Sequence, residues 1–166
     1  MKLIPNSNRR WALMLATLGV LALTLIGAQT TVAASWNGLE PFKSTRGDVI
    51  KTLGQPIGES PDGVLRFNVM GGTVQVSFVS DNFMKAKKLR PALVGTVLEI
   101  VLQHENSSDT PVTMKLLDNK AFLRDETKTT TIFRNLKDGL VYTFMDDKLR
   151  STRYTFADSQ LSRARR

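Results

Sequence analysis

Val64-Leu65-Arg66-Phe67-Asn68-Val69-Met70-Gly71-Gly72-Thr73-Val74-Gln75-Val76-Ser77-Phe78-Val79 reads as two β-strands around a turn. Apolar and polar residues alternate on both sides of Gly71-Gly72, the period of a half-buried strand. A glycine pair between such runs suits the tight turns that need positive φ. With Gly71 and Gly72 as the loop, Met70 opposes Thr73, Val69 opposes Val74, Phe67 opposes Val76 and Leu65 opposes Phe78. Leu65, Phe67, Val69, Val74, Val76 and Phe78 then share one face, and Arg66, Asn68, Gln75 and Ser77 share the other. A one-residue slip would send the apolar set into water, so the faces are strongly specified. This hairpin makes the fold an antiparallel sheet with one buried face.

Upstream, residues 35–42 form a lead-in with two aromatics, Trp36 and Phe42, among turn residues. Ser44-Thr45 then supplies a hydroxyl cap for a short helix, whose first amides lack intrahelical acceptors. Asp48 lies toward the positive end of its dipole and Lys51 toward the negative end. Val49, Ile50 and Leu53 make an apolar stripe at helical spacing. Gly54 stops the helix and Pro56 prevents its resumption. So short a helix must dock on the sheet to persist.

Downstream, residues 81–95 read as a basic loop carrying Lys85, Lys87, Lys88 and Arg90, with Phe83, Met84 and Leu89 nearby. Residues 96–103 read as a strand covered in part on both sides. Residues 105–110 are a polar break, and residues 112–117 suit a short helical turn. Strands follow over 121–124, 130–135, 139–145 and 149–156. In the last hairpin a three-residue loop, Asp146 to Lys148, pairs Tyr142 with Thr152 and Leu140 with Tyr154. That register brings the larger apolar groups together better than a two-residue loop. Residues 161–166 read as a frayed basic tail. The fold class is therefore α+β: an antiparallel sheet with one or two short helices on one face. A helix followed by strands occurs twice, an order open to two diverged halves.

The first 34 residues read as a secretory signal peptide. Lys2, Arg9 and Arg10 form its positive region, an uncharged apolar stretch runs from 11 to 26, and small residues at 32–34 suit cleavage before Ser35. Those sixteen residues would span roughly 24 Å as a helix, against a hydrocarbon core of about 30 Å. An uncleaved anchor is therefore a poor fit. The domain proper is then 35–160, with the basic tail behind it. Removing 34 of the 166 residues leaves 132, enough for one ordinary core. The leader holds three of the 23 Lys and Arg and none of the acids, so the net charge falls from +8 to +5. The expected location is extracytoplasmic, where anionic envelope components are more accessible partners than nucleic acid.

The chemistry-bearing residues are sparse. There is no cysteine, so neither disulfides nor thiol catalysis are available. His104 is the single histidine and reads as a solvated loop residue after a strand. Zinc catalysis needs three protein ligands and the chain offers no such clustering. Asp146-Asp147 and Asp125-Glu126 are too isolated for the six to eight oxygens of calcium. Asp146-Asp147 reads as an ordinary turn pair. No catalytic residue, metal or cofactor is expected. The candidate partner-binding residues are Lys85, Lys87, Lys88 and Arg90, for an anionic surface, with Trp36 and Phe42 either as anchors or as closures of the core edge. Nucleic-acid binding would want aromatics on a sheet face, and the polar faces carry Arg, Asn, Gln and Ser instead.

The stretch Trp36-x-Gly38-Leu39-x-Pro41-x-x-Ser44-Thr45-Arg46-x-Asp48-Val49, with Leu53-Gly54-x-Pro56 after it, resembles the opening motif of an uncharacterised family of small secreted bacterial proteins. Gly95-Thr96-Val97-Leu98-Glu99-Ile100 and Asp138-Gly139-Leu140-x-Tyr142 resemble its middle and end. More distantly, a capped helix ending in Leu-Gly-x-Pro before a hairpin is similar to the SmpA/OmlA-type outer-membrane assembly lipoproteins and the β-lactamase-inhibitor-like fold. That resemblance implies a binder or scaffold rather than an enzyme. The chain departs from the lipoproteins in lacking the lipid-bearing cysteine. The expected function is thus a non-enzymatic extracytoplasmic binding or structural domain, its partner an envelope protein or anionic envelope component. The alternatives are a cationic protein associated peripherally with lipid, and a secreted hydrolase using dispersed carboxylates.

Overall fold

A computed structural model describes residues 34–165. Except for Ala34, the leader lies outside the described residues.

Helix α1, Arg46–Leu53, begins where Thr45 and Asp48 cap each other. The Asp48 amide donates to Thr45 Oγ1 at 3.3 Å, and the Asp48 carboxylate accepts from the Thr45 amide at 2.8 Å. The Thr45 amide, together with the Thr45 hydroxyl that donates to Asp48 Oδ2 at 2.7 Å, holds the Asp48 carboxyl below its ordinary range. Gly54, at φ +82°, ends the helix and its amide closes onto Ile50 O. Val49 is fully buried, and Ile50 and Leu53 pack beside it on Leu65, Phe67, Val74, Val76 and Ile100. The helix therefore docks on the hairpin's apolar face, as its stripe requires.

Eight strands form one antiparallel sheet. They are β1 Gly58–Glu59, β2 Leu65–Val69, β3 Gly72–Phe78, β4 Val97–His104, β5 Leu123–Glu126, β6 Thr130–Asn135, β7 Leu140–Met145 and β8 Lys148–Thr155. The spatial order is β1-β2-β3-β4-β8-β7-β6-β5. Each half is a four-stranded meander, and the two meet where β4 pairs with β8. A second apolar cluster, Leu116, Phe133, Phe144 and Leu149, covers the later meander on the same face as the first. The chain is α+β, with two further short helices, α2 Asp81–Lys87 and α3 Asp158–Ala164.

The hairpin faces hold, but the register moves by two residues. Leu65 pairs with Val76, Phe67 with Val74 and Val69 with Gly72, so the turn is Met70-Gly71. A shift of two preserves every face. Gly72 can join the ladder because it has no Cβ, which there would collide with the Gln103 carbonyl of β4. The last hairpin keeps the expected pairs, Tyr142 with Thr152 and Leu140 with Tyr154. Its turn is nevertheless two residues, Asp146 and Asp147, both at positive φ. A bulge between Thr143 and Phe144 reconciles the two, since Phe144 pairs with Leu149 and leaves Arg150 over.

Two segments read as irregular are helical. Residues 81–95 hold α2 and a 3₁₀ turn, Pro91–Leu93. Ser80 Oγ caps α2 by accepting from the Phe83 amide at 3.2 Å. The residues read as a frayed tail instead contribute to α3, in which Gln160 and Ala164 are buried. The segment near 112 is a turn, with Leu116 N bonded to Pro111 O, and β5 starts two residues later than the expected strand.

Candidate functional site

The basic segment owes its position to apolar anchors. On α2, Phe83 and Met84 face inward, packing with Val79, Leu89 and Leu93. Lys85 and Lys87 on the same helix are exposed, as are Lys88 and Arg90 after it. Lys88 ends α2 in the left-handed conformation at φ +54°, which turns Leu89 back into the cluster. Burying one side of the segment thus fixes its cations on the outside.

Helix α3 adds to this face from the far end of the chain. The Arg90 amide donates to Ala164 O at 2.9 Å, and Arg165 Nε donates to Lys87 O at 3.1 Å. Leu161 and Ala164 supply the apolar contact. Gln160 fixes the helix start: its Oε1 accepts from the Ala157 amide at 2.8 Å, and its Nε2 donates to Pro41 O at 3.0 Å. Arg163 and Arg165 consequently join Lys85, Lys87, Lys88 and Arg90. Among the described residues none of these six cations has a carboxylate partner.

Where 40–43, Arg90 and α3 meet, a cavity of about 280 Å³ opens, lined in part by Glu40, Lys43, Arg90, Gln160 and Arg163. Lys43 Nζ lies 2.8 Å from Glu40 Oε2, which holds the lysine above its ordinary pKa. Arg163 Nε donates to Ser159 O at 3.2 Å.

The aromatic candidates separate. Phe42 belongs to the basic face: it lines the cavity and stacks on Phe156 with ring centroids 4.9 Å apart. Its φ of +61° and an amide bond to Val97 O place the ring there. Trp36 packs on the first core cluster and lines a different hollow with Val69, Met70 and His104. It is not part of the basic face.

Titratable and charged side chains also lie outside this face. His104 ends β4, half-buried, with Nε2 2.9 Å from Thr152 Oγ1, rather than lying in a solvated loop. Burial lowers its pKa, opposed by the Asp109 charge. Among the described residues no group of three His, Asp or Glu side chains comes together, and no helix is long and apolar enough to cross a membrane. No family model, curated protein or solved structure matches this chain. The open sheet face also carries arginines, since Arg66, Gln75, Val101, Arg153, Val141 and Arg134 form one transverse row. Two of these are neutralised, Arg153 by Glu99 and Arg134 by Asp125. The helical face holds six cations without a carboxylate partner against Arg66 alone in that row, and is the stronger candidate.

Lys43, Gln160, Arg163 and Arg165 were not singled out by sequence reasoning. Asp158 at a helix start and Leu161 and Ala164 three apart were the available signal.

Proposed function

We propose that this chain is a non-enzymatic extracytoplasmic binding domain that docks through its basic helical face on an anionic component of the envelope. The leader-like first 34 residues and the resemblance to small secreted bacterial proteins support the location. The observation that carries the docking is the convergence of α3 on the Lys85–Arg90 segment through Arg90 N to Ala164 O and Arg165 Nε to Lys87 O.

Magnitudes make that convergence matter. A Lys or Arg near an anionic bilayer is worth about 1 kcal/mol. Four such residues give about 4 kcal/mol, a millimolar interaction, whereas six give about 6 kcal/mol and reach tens of micromolar. The helix thus moves the face from negligible to measurable attraction. The interaction is exposed and falls with ionic strength.

The test is retention on a washed envelope fraction at low salt, comparing the chain with Lys85→Glu/Lys87→Glu/Lys88→Glu. The unaltered chain is expected to be retained and to elute as salt rises, and the variant to wash through. Equal retention at low salt would overturn the docking.

A further inference from the structure

We infer that the cavity bordered by Lys43, Arg90 and Arg163 is a binding site for a phosphate ester. This rests on the proposed docking of the basic face and narrows it to one group and one place.

Three cations and one carboxylate, Glu40, line this hollow, a local balance of +2. A phosphate monoester carries close to two negative charges at neutral pH, whereas a carboxylate carries one. Two of the cations are guanidinium groups, whose planar forks suit phosphate oxygens. Arg163 commits Nε to Ser159 O, which leaves its terminal nitrogens to donate elsewhere. Arg90 is held by its backbone bond to Ala164, and its side chain has no hydrogen-bond or ion-pair partner among the described residues. Lys43 already pairs with Glu40 at 2.8 Å, so its ammonium is positioned. The walls come from segments fixed to one another by Gln160 Nε2 to Pro41 O and by Arg90 N to Ala164 O. The backbone of the walls is therefore fixed before a ligand arrives, which lowers part of the ordering cost of binding.

Size restricts the ligand. The cavity, at about 280 Å³, falls just below the roughly 300–1,000 Å³ of pockets that enclose drug-sized molecules. It suits a headgroup or a small phosphorylated molecule. Lys85, Lys87 and Lys88 lie outside the cavity lining, on the same basic face. They attract an anionic surface without selecting the phosphate.

The test is a titration of the ¹⁵N-labelled chain, purified as the cell processes it, with inorganic phosphate and glycerol 3-phosphate, followed by NMR. A second arm uses phosphatidylcholine vesicles with and without phosphatidic acid, whose headgroup is a phosphate monoester. Saturable shifts are expected at the Arg90 amide and the Arg163 guanidinium. Arg90→Gln and Arg163→Gln are each expected to weaken binding by about tenfold, the effect of losing a charged hydrogen bond. Arg163→Lys keeps the charge but not the fork and should also weaken it. Melting temperatures of the variants separate lost binding from lost folding.

Site-dependent binding of the soluble phosphates alone supports the inference with a soluble ligand. Stronger binding to phosphatidic acid vesicles that is also lost in Arg163→Gln supports it with a lipid headgroup. Shifts that do not saturate, or affinities unchanged in both arginine variants, would overturn the site. If vesicle binding then still depended on Lys85, Lys87 and Lys88, the broader docking would stand without the cavity.

Discussion

The backbone amide of Arg90 donates to the carbonyl of Ala164 at 2.9 Å. This bond joins the basic segment in the middle of the chain to its last helix. It also occupies a carbonyl at the helix end, where such groups otherwise lack partners. A surface of cations is thereby assembled from residues about 75 positions apart.

Gln160 should prove structural despite its polarity. Its carboxamide is buried and bonds both Ala157 and Pro41. Gln160→Ala leaves those groups unsatisfied and is expected to cost about 1–3 kcal/mol in chemical denaturation. Proteolysis within residues 157–165 should accelerate as the helix detaches. An unchanged midpoint with unchanged proteolysis would show that α3 does not depend on this contact.

Gly72 and Gly71 should differ sharply although both lie at the same turn. At Gly71, φ is +86° and a Cβ would meet open space, so alanine should cost about 1–2 kcal/mol. At Gly72 a Cβ would overlap the Gln103 carbonyl of the neighbouring strand. Overpacking and backbone strain together set an expected cost of about 3 kcal/mol or more. Thermal or denaturant unfolding measures the difference, and equal costs would contradict the pairing of Gly72 with His104.

Phe67 lies at 1% exposure between α1 and the sheet. Phe67→Ala is expected to destabilise the fold by about 3–5 kcal/mol, through lost burial and a residual cavity. A change under about 0.5 kcal/mol, typical of surface sites, would place the residue on the wrong face.

His104 gives stability a pH dependence of definite sign. Burial holds its imidazole below the ordinary value, despite Asp109. The unfolded histidine protonates near pH 6.5. As pH falls through that value, the unfolded chain takes up a proton before the folded one, and stability declines. The decline levels off below the folded pKa. Melting temperatures between pH 7.5 and pH 5 should therefore drop in the parent and flatten in His104→Gln over this window. A parent that gained stability on acidification would contradict the burial.

The sheet was legible because its signal is local. Alternation around Gly71-Gly72 specified both faces, and the hydroxyls of Ser44-Thr45 with the Gly54 stop marked α1. The exact register was not, because it depends on a carbonyl of β4 that excludes a side chain at Gly72. The three-residue loop proposed for the last hairpin failed for a related reason, as the bulge beside Phe144 absorbs the extra residue. Helices α2 and α3 were hidden by their shortness: each has seven residues and too few apolar positions to establish a period. The basic face was half legible. Lys85, Lys87, Lys88 and Arg90 stand together in the sequence, but Arg163 and Arg165 reach them only through tertiary contacts.

The most direct measurement is site-specific photo-crosslinking in the intact envelope. A photoreactive side chain at Ala86, exposed among the lysines of α2, is compared with one at Gln75 on the open sheet face. If the basic face docks, adducts to an anionic component form from Ala86 and vanish when Lys85, Lys87 and Lys88 are reversed to glutamate. Adducts from Gln75 alone, unaffected by that reversal, would contradict the assignment of the basic face as the binding surface.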